Sequence, residues 1–110
     1  MKRLDIIIPH ERLQEVNNIL NKHKVGGMTF YDIKGRGQSK QESAAVGRGV
    51  TRYVPKFVSR MKIEVLVRDS QAKPIIDDIL DVISTGSHYD GKMFVYHVAE
   101  SYDIGTKGTS

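Results

Sequence analysis

The chain has 110 residues, 39% of them hydrophobic, and a formal net charge of +4. That length holds one domain and one core, since a second core would be too small to stand alone. The absence of cysteine excludes disulfides, thiolate metal sites and a cysteine nucleophile.

The first apolar run, Ile6-Ile7-Ile8, is too short for a membrane span or a signal peptide, so a soluble, cytoplasmic protein is expected. Residues 4–8 read as a strand ended by Pro9, which cannot donate to a ladder. Leu13, Val16 and Leu20, with Ile19 beside them, share one stripe of a helix predicted over residues 11–24. Gly26 and Gly27 stop that helix, and residues 28–33 form a second strand. A long loop follows over residues 34–62. Beyond it, Met61, Ile63, Val65 and Val67 alternate with Lys62 and Glu64 as a half-buried strand. Asp69 or Ser70 caps a second helix, with Pro74 in its first turn and Ile76, Ile79, Leu80 and Ile83 as its stripe. Gly86 closes it, residues 93–98 form the last strand, and residues 101–110 read as a polar tail.

The order is βαβ, loop, βαβ. Two such units most simply build a four-stranded antiparallel sheet with both helices on one face, the ferredoxin-like α+β plan. Tyr31, Tyr96 and several β-branched residues leave the other face partly apolar, and oligomerisation is the expected remedy.

The charge is uneven. Residues 34–62 hold eight Lys or Arg against Glu42 alone, while acids exceed bases in the rest of the chain. A concentrated positive segment on a near-neutral scaffold points to an anionic ligand or partner. Two glycine-bearing stretches could serve it. Gly91-Lys92, at a turn entering a strand, can bring backbone N–H groups and an ammonium onto a phosphate, or can be a plain turn with an exposed lysine. Gly35-Arg36-Gly37 either permits close backbone approach or gives a flexible entry to the loop. The P-loop pattern is not met, because Met93 follows Gly91-Lys92 and the stretch succeeds a helix. His10, His23, His88 and His97 are not at ligand spacings, so no metal site is expected. Asp77, Asp78 and Asp81 read as the solvated face of the second helix. No nucleophile–base pair or carboxylate pair stands out, and the chain does not read as an enzyme.

Several short stretches together resemble a known family, the PII signal-transduction (nitrogen regulatory) proteins, over nearly the whole chain. They are Gly27-Met28-Thr29, Lys34-Gly35-Arg36-Gly37, Arg48-Gly49 with Tyr53, Lys62-Ile63-Glu64-Val65, and Thr85-Gly86 with Asp90-Gly91-Lys92-Met93-Phe94. The resemblance implies a single PII-like domain over residues 1–110, with a T-loop at about 37–57, a B-loop at about 85–94 and a C-terminal tail at 101–110. It implies a homotrimer whose T-loops grip a target: an ammonium transporter, glutamine synthetase or another metabolic enzyme. Membrane association would then be peripheral, through a transporter, and nucleic acid is not an expected partner. Clefts between subunits would take ATP or ADP, with Mg and 2-oxoglutarate, as regulatory ligands and not as tightly bound cofactors. Carried over by position, the nucleotide set is Thr29 at the adenine, with Gly35, Gly37, Gln38, Arg60, Asp90, Gly91 and Lys92 around the phosphates and loop base. Arg48, Arg52 and Tyr53 would contact the partner. Tyr53 also lies near the tyrosine that some bacterial members carry as a uridylylation site.

The sequence departs from the family pattern at informative places. Asp103 and Gly105 stand where the family usually has two phosphate-binding arginines, exchanging attraction for repulsion at one of them. Tyr89 replaces a B-loop glycine and adds bulk beside the phosphates. Arg60 stands for a lysine that meets phosphate and 2-oxoglutarate. The family's T-loop arginine and glutamine fall near Gln38 and Ser39, and a one-residue slip puts Gln38 on the glutamine. Weakened nucleotide binding follows, with Lys107 as the one nearby substitute cation. The alternatives are a divergent PII-like protein with a different ligand, such as AMP or bicarbonate, or none, and a ferredoxin-like nucleic-acid module. The strands lack the aromatic signature of an RNA-binding sheet. A phosphatase on this plan would want an arginine directly after the first strand, where Pro9-His10-Glu11 stands.

Overall fold

β1 (Lys2–Ile8) turns Leu4, Ile6 and Ile8 to one side and Arg3, Asp5 and Ile7 to the other, and the rest of the fold is arranged around it. In the computed structural model, which describes residues 1–36 and 57–109, it is followed by a 3-10 turn (His10–Arg12), α1 (Leu13–Lys22) and β2 (Thr29–Gly35). Then come β3 (Val58–Val67), α2 (Asp69–Ile83), a second 3-10 turn (His88–Asp90), β4 (Lys92–His97), β5 (Tyr102–Asp103) and β6 (Gly108–Thr109).

The main sheet runs β2-β3-β1-β4 with every pairing antiparallel. Leu4 lies opposite Val65 and Ile6 opposite Ile63, and directly opposed residues share a face. These side chains meet Val16, Ile19 and Leu20 of α1 and Ala72, Ile75, Ile79 and Ile83 of α2 in one core. Both helices therefore cover one face, and the ferredoxin-like plan is the observed one. The opposite face carries Tyr31, Lys62, Arg3 and Tyr96 in adjacent register. Among the described residues no helix is long and apolar enough to cross a membrane.

Several element ends differ from the sequence reading, each for a local reason. Pro9 carbonyl accepts the Arg12 N–H, so a 3-10 turn precedes α1. The helix stops before Gly26: Lys24 takes a left-handed φ of 60°, and the Val25 N–H closes onto the Leu20 carbonyl. α2 is capped at Arg68, whose backbone N–H donates to the Gln71 side chain at 3.2 Å, and not at Asp69 or Ser70. Pro74 consequently lies in the second turn. The bond it forgoes is to the carbonyl of Ser70, an exposed residue that water reaches. β2 and β3 run further than expected, taking Lys34, Gly35 and residues 58–60 from the predicted loop, because pairing continues to Gly35↔Val58. The predicted polar tail is a small hairpin of β5 and β6, in which the Asp103 carboxylate accepts the backbone N–H groups of Gly105 and Thr106.

Candidate functional site

The loop-side ends of all four main strands converge on the helix-free face. There Ile33 and Gly35 of β2, Val58 and Arg60 of β3, Ile7 of β1, and Lys92 and Phe94 of β4 surround a cleft of about 550 Å³. Arg36 and the turn residues His88, Tyr89 and Gly91 complete its lining. Strand register explains the gathering, since Ile33 lies opposite Arg60 and Ile7 opposite Lys92.

The described lining holds no carboxylate, and Arg36, Arg60 and Lys92 form no ion pair with any described residue. Arg60 Nη1 instead donates to the Tyr89 carbonyl at 2.6 Å, with its guanidinium 6.0 Å from the Tyr89 ring centre. Unneutralised cations beside aromatic and aliphatic walls suit an anion that also offers a planar or apolar part.

The turn before β4 is held from inside. Asp90 accepts the Thr85 N–H and the Thr85 hydroxyl, both at 2.6 Å, and the Ser87 N–H at 3.1 Å. The hydroxyl bond first, then the N–H bonds, keep the Asp90 carboxyl below the usual carboxylate range. This acid braces the loop and lines a second, smaller cavity of about 210 Å³ on the helix side, with Ile8, Ile79 and Met93. Gly91 has a φ of 122°, and a Cβ there would collide with the Ile7 carbonyl. Glycine is required by backbone packing against β1, whatever the cleft binds.

Of the residues singled out in the sequence, Gly35, Arg60, Gly91 and Lys92 meet at the cleft, and Asp90 sits immediately behind it. Thr29 does not line it. It pairs with Glu64 near the other end of β2, six positions from Gly35 and so roughly 20 Å away. Asp103, Gly105 and Lys107 belong to the tail hairpin and do not line the cleft. Gly37, Gln38, Arg48, Arg52 and Tyr53 lie outside the described residues. Ile7, Ile33 and Val58 line the cleft without having been singled out, while His88 was weighed only as a metal ligand and Phe94 only as part of a motif. The i, i+2 spacing of Lys92 and Phe94 was the available signal, since it puts both on one strand face.

The family model described as Nitrogen regulatory protein P-II matches residues 1–107. The nitrogen regulatory protein P-II of Haemophilus influenzae is 33% identical over 106 residues, covering 96% of this chain and 93% of the relative. That of Klebsiella oxytoca is 35% identical over the same shares of both chains. The nitrogen regulatory protein P-II 1 of Escherichia coli K12 is also 35% identical over 106 residues, with the same coverage.

Proposed function

The chain belongs to the P-II family of nitrogen regulatory proteins, and from that premise we propose that it is a non-enzymatic regulator switched by a small anionic metabolite. The observation that carries this reading is the cleft of Arg36, Arg60 and Lys92, three cations without a described carboxylate partner. Gly35-Arg36 and Val58 also flank residues 37–56, so a ligand there sits at the root of that segment. An anion bound at this root biases the segment's competence to engage a target, by supplying contacts in one state only. The target is an ammonium transporter, glutamine synthetase or another enzyme of nitrogen or carbon metabolism, contacted through Arg48, Arg52 and Tyr53.

The ligand of this reading is an adenine nucleotide, with Mg and 2-oxoglutarate as secondary ligands. The working form is a homotrimer. Thr29 does not line the cleft and lies three strands across the sheet from β4, roughly 14 Å or more by strand spacing, so in this reading a second copy brings its own Thr29 to the cleft. The apolar and aromatic helix-free face gives that copy a surface to cover. Asp103 spends its carboxylate on the hairpin turn and offers a phosphate no cation. Two charge-assisted bonds absent at about 1.5–3 kcal/mol each weaken nucleotide binding roughly a hundredfold or more.

Calorimetric titration with ATP, ADP, AMP and 2-oxoglutarate, with light scattering on the same sample, tests the reading. A trimer that binds ATP no tighter than about tens of micromolar is expected. A stable monomer that binds none of the four would overturn it. Submicromolar ATP affinity abolished by Lys107→Ala would show that the tail replaces the missing cations.

A further inference from the structure

The three cations of the cleft are not equivalent. Arg36 and Lys92 have no ion-pair partner among the described residues, whereas Arg60 is engaged by Tyr89 through both its carbonyl and its ring. Tyr89 is not a loosely hanging side chain. Its own N–H donates to the Ser87 hydroxyl at 3.1 Å, and the next residue, Asp90, is fixed by three bonds from Thr85 and Ser87. A braced turn thus holds a half-exposed aromatic ring in the cleft lining, three residues before Lys92. The Arg60–Tyr89 contact also joins the first residues of β3 to this turn, and so closes one side of the cleft.

An entering anion therefore meets two ready cations and one that must be taken from a carbonyl. A single phosphoryl group, at about −1.5 to −2 charge, is matched by Arg36 and Lys92 with the Arg60–Tyr89 contact intact. A triphosphate carries more charge along a longer chain. It needs the third cation and the space beside the ring, and so must break that contact. We infer that Tyr89 is a specificity-determining residue: its ring, packed against the Arg60 guanidinium and filling space in the cleft that Lys92 also lines, makes the cleft favour a monophosphate over a polyphosphate. The inference rests on the reading of this cleft as the nucleotide site and names the ligand class within it.

The test compares the full-length protein with Tyr89→Gly, Tyr89→Ala and Tyr89→Phe, each checked for folding by circular dichroism. Each is titrated with AMP, ADP and ATP, and separately with phosphate, pyrophosphate and tripolyphosphate. The unaltered chain should bind AMP at least as tightly as ATP. Both small-residue variants should raise the ATP-to-AMP affinity ratio by about tenfold, through tighter ATP binding, with the same trend in the inorganic series. The main-chain carbonyl that accepts from Arg60 is common to all four proteins; Tyr89→Phe keeps the ring as well and should keep the ratio. A ratio unchanged in Tyr89→Gly and Tyr89→Ala, with anions still bound, overturns the selector and leaves the site standing. If no nucleotide and no inorganic anion binds to any of the four proteins, the site itself falls, and the selector with it.

Discussion

The helix-free face of the sheet carries positive charge in two places and treats it in opposite ways. Across the middle, Arg3 and Lys62 flank Asp5, which is only 1% exposed. Arg3 Nε lies 3.0 Å from one Asp5 oxygen and Nη2 donates to the other at 3.2 Å, while Lys62 Nζ is 3.7 Å from both Asp5 and Glu64. The Tyr31 hydroxyl donates to Glu64 at 2.7 Å, and Arg3 stacks 4.4 Å from the Tyr96 ring. A few residues along the same strands, Arg36, Arg60 and Lys92 find no described carboxylate at all. The middle consumes its charge between its own strands, and in the proposed reading the end keeps its charge for a ligand. A count of lysines and arginines cannot separate these two uses. Lys62, reckoned with the basic loop in the sequence, belongs to the neutralised network.

The largest effect is expected at the backbone of the cleft itself, at Gly91. A methyl group there faces the Ile7 carbonyl and a φ that L-residues rarely adopt. Gly91→Ala should lower stability by about 3 kcal/mol, read from urea denaturation. A loss under about 1 kcal/mol would mean that β1 and the turn can separate without cost, and that this glycine serves a ligand alone.

Next comes the neutralised middle. Asp5→Ala removes the buried acceptor between Arg3 and Lys62, and an unfolding cost of about 2 kcal/mol is expected. The larger cost of an ion pair buried on both sides is not reached, because Arg3 and Lys62 retain access to water. Anion affinity at the cleft should stay within about twofold. A large gain in anion binding on this substitution would show that the two charge groups are one system and that the contrast drawn here is false.

Legibility follows the same division. The layering was readable because Leu4, Ile6 and Ile8 alternate with Arg3, Asp5 and Ile7, and Ile63, Val65 and Val67 with Lys62, Glu64 and Leu66. Period-2 alternation with a helical stripe on either side leaves few other arrangements. What alternation could not reveal is how deeply the second face is occupied. Asp5 sits at an outward position and reads as solvated, yet its neighbours across two strands bury it. The cleft was half readable: Gly35, Gly91 and Lys92 came from short motifs, and Arg60 by its position where the resembled family has a lysine. The role of Asp90 did not, since a carboxylate beside a phosphate-type turn looks like a ligand contact until Thr85 and Ser87 are seen to saturate it. The tail hairpin was missed because two-residue strands carry no periodicity, and Asp103 signals only a turn.

The uncompensated end should respond in binding and not in folding. Lys92→Ala is expected to weaken phosphate or AMP binding about tenfold, with a smaller dependence on salt than the unaltered chain shows. Its urea midpoint should not move, because Lys92 has no ion-pair partner among the described residues to lose. A fall in stability comparable to that of Asp5→Ala would place Lys92 in a structural network, and the distinction between the two regions would go.

The smallest effect tests whether the middle works by ionic contact or merely by shape. The hydrogen bond from Tyr31 is the main cause that holds the Glu64 carboxyl below its ordinary range, with Lys62 and Arg3 adding to it. A carboxyl lowered in the folded state contributes stability that is present above the unfolded value and lost as pH falls through the folded one. Tyr31→Phe keeps the ring under Lys62 and removes only the donor, so the Glu64 titration followed by NMR should move upward, toward the ordinary carboxylate value. The variant should be slightly less stable than the unaltered chain at neutral pH, and this gap should close as pH falls through the lowered value of the folded carboxyl, beyond which it is protonated in both folded and unfolded chains. Glu64 is partly exposed, which keeps the gap small. A gap of equal size at neutral and at acid pH would mean that Tyr31 acts through packing of its ring edge, and that the charge network needs no hydroxyl to hold it.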